Sequence, residues 1–123
     1  RVINPLSVEG QAEGSVAMGV GHAFLEHLLF GQNGQIMNPS FLDFKMPTPL
    51  ECPPTTLVEV GLPDPIGPYG AKEIGEGLLI TAVPAIANAI YDAVGVRIKE
   101  LPITPEKILN ALEEKRLLSP TFD

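Results

Sequence analysis

The sequence has few of the side chains that several classes of functional site require. Its 123 residues include a single cysteine, Cys52, so an internal disulfide and any cysteine pair with metal-ligand spacing are excluded. Eight lysines and arginines stand against fifteen aspartates and glutamates, giving a net charge of −7. Nucleic-acid binding draws on clustered basic residues. We therefore expect neither a cysteine-based metal site nor a nucleic-acid partner.

The chain also has no uninterrupted apolar run of the length that a membrane span requires. The longest such stretch covers residues 77–90. Thr81, Pro84 and Asn88 interrupt it, and it is shorter than the roughly 20 residues needed. No basic and apolar leader is visible after Arg1. These patterns predict a soluble, cytoplasmic protein without a membrane span.

Prolines and glycines divide the chain into short segments. Thirteen prolines and twelve glycines lie between periodic stretches rather than in one biased tract, as in a folded protein. A chain of this length can bury a modest core. We expect a single domain over residues 1–123.

The first predicted helix follows an extended lead-in. Residues 1–7 are expected to be extended, because the residue before Pro5 avoids helical backbone angles. From about Glu13 to Leu29, apolar residues recur every four positions and predict an amphipathic helix with an inward-facing stripe. The stripe comprises Val16, Val20, Phe24 and Leu28, with Leu25 and Leu29 beside it.

Two further helices have recognisable start and stop signals. Residues 82–94 are periodic, with Pro84 acceptable in a first turn and Gly95 at the expected end. Thr104 and Pro105 form an N-cap followed by proline at the first helical position, which predicts a last helix to about Lys115.

Strands are predicted between these helices. The Asn33-Gly34 step is typical of a hairpin turn, and side chains alternate between apolar and polar at residues 42–46 and 56–62. A brief strand is predicted at residues 96–98. Strands mixed with about three helices favour an α+β fold with a mixed or antiparallel sheet.

Four glycines occur in or beside the first helix. Gly10, Gly14, Gly19 and Gly21 each cost a helix up to about 1 kcal/mol relative to alanine. A ligand or a packed segment is therefore expected to lie close to the backbone of this helix. The start of this helix, around Gly10-Gln11, is a candidate surface for an anion or heterocycle, although helix packing would also explain the glycines.

The segment Gly70-Ala71-Lys72-Glu73-Ile74-Gly75-Glu76 is typical of an active-site turn. Its glycines allow bare backbone to approach a ligand, beside a candidate acid or base. Partial burial of Glu76 ahead of an apolar helix would raise its carboxyl pKa and suit it to act as a base. The alternative is that Glu76 complements the positive end of that helix. Lys72 and Glu73 are expected on a solvated or mutually paired surface.

Together with Val8-Glu9-Gly10-Gln11 upstream and Pro84-Ala85-Ile86-Ala87-Asn88-Ala89-Ile90 downstream, this turn resembles one protein family. It is similar to the C-terminal part of the molybdopterin-binding large subunit of the xanthine dehydrogenase and aldehyde oxidase family. The resemblance implies that Glu76 is the active-site base and that Gln11 contacts the cofactor. Further cofactor contacts that it implies are Gly10, Gly14, Gly70, Ala71, Lys72 and Gly75.

The resemblance also implies a function. It predicts a molybdenum-dependent oxidoreductase acting on an aromatic heterocycle, aldehyde or related carbon centre, with molybdopterin as cofactor. Iron-sulfur and FAD centres are expected on partner chains or domains, together with the remaining molybdopterin-binding segments. Two alternatives stay open, namely a non-catalytic structural or relic domain and a reductase of hydroxyaryl-CoA thioesters. Glu73 departs from the glycine of many family members, which leaves its role open.

Overall fold

The fold is a set of helices joined by long irregular segments. The computed structural model describes residues 1–118. The elements are α1 at Pro5–Val20, a π-helical turn at Gly21–Leu25, a 3-10 turn at Pro68–Gly70, α2 at Gly75–Val94 and α3 at Pro105–Leu118. No strand forms within residues 1–118, where sheet-type pairing is limited to one antiparallel bridge between Phe30 and Ile36. The predicted α+β sheet is therefore wrong, whereas the three predicted helices are present.

Helix α1 begins earlier than predicted because Asn4 and Pro5 form its start. Asn4 has extended backbone angles, and its side chain accepts a hydrogen bond from the Ser7 amide at 3.2 Å. Pro5 occupies the first helical position, where its missing N–H costs no hydrogen bond. The predicted extended lead-in consequently stops at Asn4. The Asn-Pro step acts as an N-cap signal.

The prediction that the apolar stripe of the first helix faces inward is wrong for the second half of the stripe. Phe24 and Leu28 are 40% and 46% exposed, although both belong to the predicted stripe. The chain leaves α-helical geometry after Val20, so a four-residue spacing no longer keeps side chains on one face. The buried residues of α1 are Val8, Ala12, Ser15, Gly19 and Val20.

Helices α1 and α2 pack against one another through small residues. A methyl group built on Gly19 would overlap the Cβ atom of Ala82, so the two backbones approach as closely as glycine allows. The expectation that a backbone contact explains the glycines of this helix is confirmed at Gly19. No atom lies within 4 Å of a Cβ built on Gly10 or Gly14, so these glycines need another explanation.

Helix α2 is longer than predicted. It begins at Gly75 rather than Ala82, which places Pro84 in the helix interior instead of the first turn. It ends where expected, since Gly95 adopts a left-handed conformation with φ of 70°. Over its 20 residues, none of them fully buried, α2 reaches the length and apolar composition of a membrane-crossing helix. The prediction that this apolar segment is too short to cross a membrane is therefore wrong as far as the length of the helix is concerned.

The predicted strands are replaced by turns and irregular chain. At residues 42–46 the amides of Asp43 and Phe44 donate back to the Ser40 carbonyl, which closes a turn. Residues 56–62 and 96–98 find no ladder partner among residues 1–118. The Asn33-Gly34 turn does form, with Gly34 at φ of 79° and its amide bonded to the Gly31 carbonyl.

The chain exposes far more surface than a compact protein of its mass. Its accessible surface is 9752 Å², whereas about 6,400 Å² is expected for a folded 13.1 kDa monomer. Several large apolar side chains are more than 80% exposed. Examples are Phe41, Leu42, Leu50, Val60 and Ile66. Large exposed apolar surfaces mark sites that contact another protein, a membrane or a ligand.

Candidate active site

A cleft of about 320 Å³ lies between α1 and the first turn of α2. Its lining residues are Gly10, Gln11, Gly14, Ser15, Met18, Gly75, Glu76 and Leu79. The fold thus brings together the predicted base and the predicted cofactor contacts of the first helix, which are far apart in the sequence.

Two contacts across the helix pair define the geometry of this cleft. The Ser15 hydroxyl donates to the Gly75 carbonyl at 3.4 Å, and Ser15 is 7% exposed. The Gln11 Oε1 atom lies 3.6 Å from the position that a Cβ atom on Gly75 would take. Ser15 was not singled out from the sequence, although it follows Gln11 by one helical turn on the same face.

Glu76 projects from the first turn of α2. Its side chain is exposed, so the partial burial predicted for it is wrong within this chain. Within residues 1–118 its carboxylate makes no hydrogen bond to another residue. Glu76 lines the same cleft as Gln11 and does not lie on the far side of the molecule from it.

Glu73 interacts with the positive end of helix α2. This is the role that the sequence offered as the alternative for Glu76. Its Oε1 atom accepts a hydrogen bond from the Glu76 amide at 2.7 Å. A charged acceptor in this position satisfies a free helix amide and complements the helix dipole. Glu73 and Lys72 were expected on a solvated or mutually paired surface; both are exposed, and Glu73 makes this cap. The sequence feature that could have predicted this cap is an acidic residue three positions before Glu76.

A larger cleft of about 900 Å³ lies beside the first and shares Gln11 with it. Ala71 and Lys72 line this larger cleft, whereas Glu76 does not. Its other lining residues are Arg1–Asn4, Ser7, Val8, Leu57–Pro63, Glu73, Ile74, Gly77 and Leu78. Two of the predicted cofactor contacts therefore line a different cleft from the one that Glu76 lines.

Gly70 lines neither cleft, although it was predicted to contact the cofactor. Its φ of 72° favours glycine, and a Cβ atom there would lie 2.8 Å from Pro63 Cβ. Its carbonyl accepts from the Asp64 amide at 3.0 Å. These contacts show why position 70 is a glycine: the tight turn that leads into α2 requires it.

The histidines do not gather into a metal site. His22 Nε2 lies 3.6 Å from Glu26 Oε2, one helical turn away. Within residues 1–118, no group of three or more histidine, cysteine, aspartate or glutamate side chains is placed to hold a metal ion.

Comparisons with known proteins show that the chain is similar to parts of molybdenum-binding subunits. Residues 1–53 match the molybdopterin cofactor-binding domain family. The chain is 39% identical, over 87% of its length, to the putative xanthine dehydrogenase molybdenum-binding subunit XdhA of Escherichia coli. It is 42% identical, over 89% of its length, to subunit gamma of the 6-hydroxypseudooxynicotine dehydrogenase complex of Paenarthrobacter nicotinovorans.

A solved structure shows the same fold. Quinoline 2-oxidoreductase from Pseudomonas putida 86 superposes with a TM-score of 0.83 at 34% identity, covering 92% of this chain and 15% of that one. The chain spans only 14% of each of the two curated relatives. It belongs to the xanthine dehydrogenase and aldehyde oxidase family, in which it corresponds to part of the molybdopterin-binding large subunit.

Proposed function

We propose that this chain forms one wall of the active site of a molybdenum-cofactor oxidoreductase, with Glu76 as the general base. The observation that carries the proposal is that Glu76 and Gln11 line the same cleft, from two different helices. A base must lie within reach of the proton that it removes. An exposed carboxylate that lines this cleft is free to make that approach.

The cleft fits a polar, heterocyclic cofactor. Gly10 and Gly14 present bare backbone with open space where Cβ atoms would lie, and a side chain at either position would fill that space. The Gln11 amide adds both a donor and an acceptor at the same edge. When bound, the molybdenum cofactor supplies the two-electron redox chemistry. This chain's part is to hold it through Gly10, Gln11, Gly14 and Gly75.

Ala71 and Lys72 are proposed as more distant contacts, reached through the larger cleft. The Lys72 ammonium offers a positive charge to an anionic portion of the cofactor. Gly70 is proposed to act indirectly, through the backbone turn that positions Ala71.

The remaining walls of the pocket must come from outside the described residues. Glu76 is exposed here, whereas a base acting in a water-excluded site needs a cover. We propose that residues 1–123 are one unit of a larger molybdopterin-binding domain that packs on the exposed apolar side chains. The length of the relatives, about six times that of this chain, supports this.

Protein rather than lipid is the proposed cover of α2. Glu76, Asn88 and Asp92 interrupt its apolar surface, and such groups are costly in a bilayer.

We accordingly propose a cytoplasmic protein whose iron-sulfur and flavin centres lie on partner chains or domains. One relative's name places it in a multi-subunit dehydrogenase complex.

The proposed substrates are aromatic heterocycles, aldehydes or related carbon centres. The similar proteins include a nicotine 6-hydroxylase large subunit, an aldehyde oxidoreductase subunit and quinoline 2-oxidoreductase. These names agree in placing the oxidised carbon on a ring or a carbonyl group.

The test is Glu76→Gln in the assembled subunit that contains this chain. Loss of the base should lower kcat by about 10²-fold or more while the molybdenum content stays at the wild-type level. Glu9→Gln is the matched control, because Glu9 is an exposed residue of α1 and lines neither cleft. Turnover of Glu76→Gln within a few-fold of wild type would show that another group is the base.

A further inference from the structure

The first turn of α2 has little intrinsic rigidity. Glu76 lies between Gly75 and Gly77, and glycine is the most flexible residue in a helix. A side chain on such a turn is held only as well as its backbone is held. Something outside the turn must therefore fix Glu76.

Glu73 provides that restraint. Its Oε1 atom accepts from the Glu76 amide at 2.7 Å. The same carboxylate lies beside both flanking glycines, because its Oε1 would be 3.4 Å from a Cβ atom built on Gly75 and its Oε2 would be 3.3 Å from one built on Gly77. Its one hydrogen bond to the turn is the bond to the Glu76 amide.

The orientation of this cap leaves the Glu76 side chain free. Glu73 binds the backbone amide of Glu76 and lines the larger cleft, whereas Glu76 lines the smaller one. The two carboxylates therefore serve different clefts from the same turn. Because Glu73 already accepts a hydrogen bond from this helix amide, the Glu76 carboxylate is not needed as a cap.

We propose that Glu73 is a positioning residue: its carboxylate caps α2 and holds the Glu76 backbone so that the Glu76 side chain faces the cleft it shares with Gln11. The proposal rests on the proposed function, because it concerns the base assigned there. It predicts that the hydrogen bond to the Glu76 amide, rather than the negative charge of Glu73, is what matters for turnover.

The experiment compares Glu73→Ala, Glu73→Gln and Glu113→Ala in the assembled subunit. Hydrogen exchange at the Glu76 amide, resolved by fragmentation mass spectrometry, reports on the cap without any turnover. In Glu73→Ala this amide should exchange roughly fivefold to tenfold faster. In Glu73→Gln, whose amide oxygen can still accept, it should stay within about threefold of wild type. Glu113 is exposed on α3 and distant in sequence from the turn, so its variant should match wild type.

Turnover then tests positioning. Glu73→Ala should lower kcat by about tenfold or more, with KM within twofold and molybdenum content unchanged, and Glu73→Gln should recover most of it. Three results would overturn the proposal: unchanged exchange in Glu73→Ala, faster exchange with unchanged kcat, or Glu73→Gln as impaired as Glu73→Ala. The exchange measurement reads the cap alone, so it separates this proposal from the assignment of Glu76 as base.

Discussion

The Ser15 hydroxyl on α1 donates a hydrogen bond to the carbonyl of Gly75 on α2 at 3.4 Å. Gly75 immediately precedes Glu76, so this bond ties the turn that presents the proposed base to the helix that presents Gln11. Because Ser15 is almost fully buried, water cannot readily replace its partner. The separation of the two halves of the cleft is therefore fixed from within α1.

Ser15→Ala should loosen this connection. Loss of one net hydrogen bond costs about 1 kcal/mol of the free energy of unfolding, and the small side chain leaves little cavity. The measurement is the thermal midpoint of the assembled subunit with and without cofactor. Ser7→Ala serves as control, since the Ser7 side chain is exposed on the same helix. Equal midpoints for both variants would show that the long Ser15 bond contributes nothing.

Gly19→Ala should be strongly destabilising. The added methyl group would overlap Ala82, so α1 and α2 must move apart, at a cost of about 1–3 kcal/mol. Reduced thermal stability and a lower yield of assembled subunit are expected. The double variant Gly19→Ala with Ala82→Gly should recover part of the loss, because the new methyl then has room. Wild-type stability of Gly19→Ala alone would contradict the observed packing.

Local signals predicted the end of α2 and the start of α3 correctly, whereas the strands predicted between the helices are absent from residues 1–118. Gly95 and Thr104-Pro105 mark helix boundaries through backbone geometry that depends only on neighbouring residues. The alternating segment at residues 56–62 has the pattern of a strand, but a strand needs a partner. None is present among residues 1–118. The sheet was therefore mispredicted because pairing is a long-range property.

Short motifs singled out Gln11 and Glu76, and the fold brings these two residues to one cleft. Their roles as cofactor contact and base stay predictions. The exposure of Glu76 could not be foreseen, because burial depends on surfaces that this chain does not supply. The cap by Glu73 was missed because charged neighbours on a surface ordinarily contribute little. Here the partner is a helix amide, which makes the interaction stronger.

The turn before α2 should depend on pH through Asp64. Its Oδ1 atom accepts from the amides of Gly67 and Ile66 at 2.6 and 2.7 Å, and these bonds lower the pKa of the carboxyl below its usual value. A lowered pKa means that the stabilisation is present above the ordinary aspartate value and is lost as pH falls below about 4. Protection of the Ile66 and Gly67 amides, corrected for intrinsic exchange, should fall in that range.

Asp64→Asn is the matched variant for this pH dependence. Its neutral side chain can still accept, so it should give weaker protection at pH 6 but no additional loss below pH 4. The two proteins should then converge at low pH. Identical protection at pH 6 would show that the charge of Asp64 does not stabilise the turn.

Gly14→Ala should separate the stability of α1 from its proposed contact with the cofactor. Gly14 lies inside α1, and nothing lies within 4 Å of the position a methyl group would take. In the absence of cofactor, alanine should therefore stabilise the helix by up to about 1 kcal/mol. If the cofactor rests against this bare backbone, the same methyl group occupies its place. Purified Gly14→Ala should then retain less molybdenum than wild type despite a higher thermal midpoint of the cofactor-free protein.

The control for Gly14→Ala is Ala17→Gly, which exchanges the same two residues on the same helix away from the cleft. It should lower the midpoint by a similar amount and leave molybdenum content unchanged. Opposite signs of stability and cofactor retention in Gly14→Ala are the expected signature, because a cofactor resting on the bare backbone would give the helix a reason to keep a glycine there. A Gly14→Ala protein that is more stable and fully loaded with molybdenum would remove Gly14 from the proposed site.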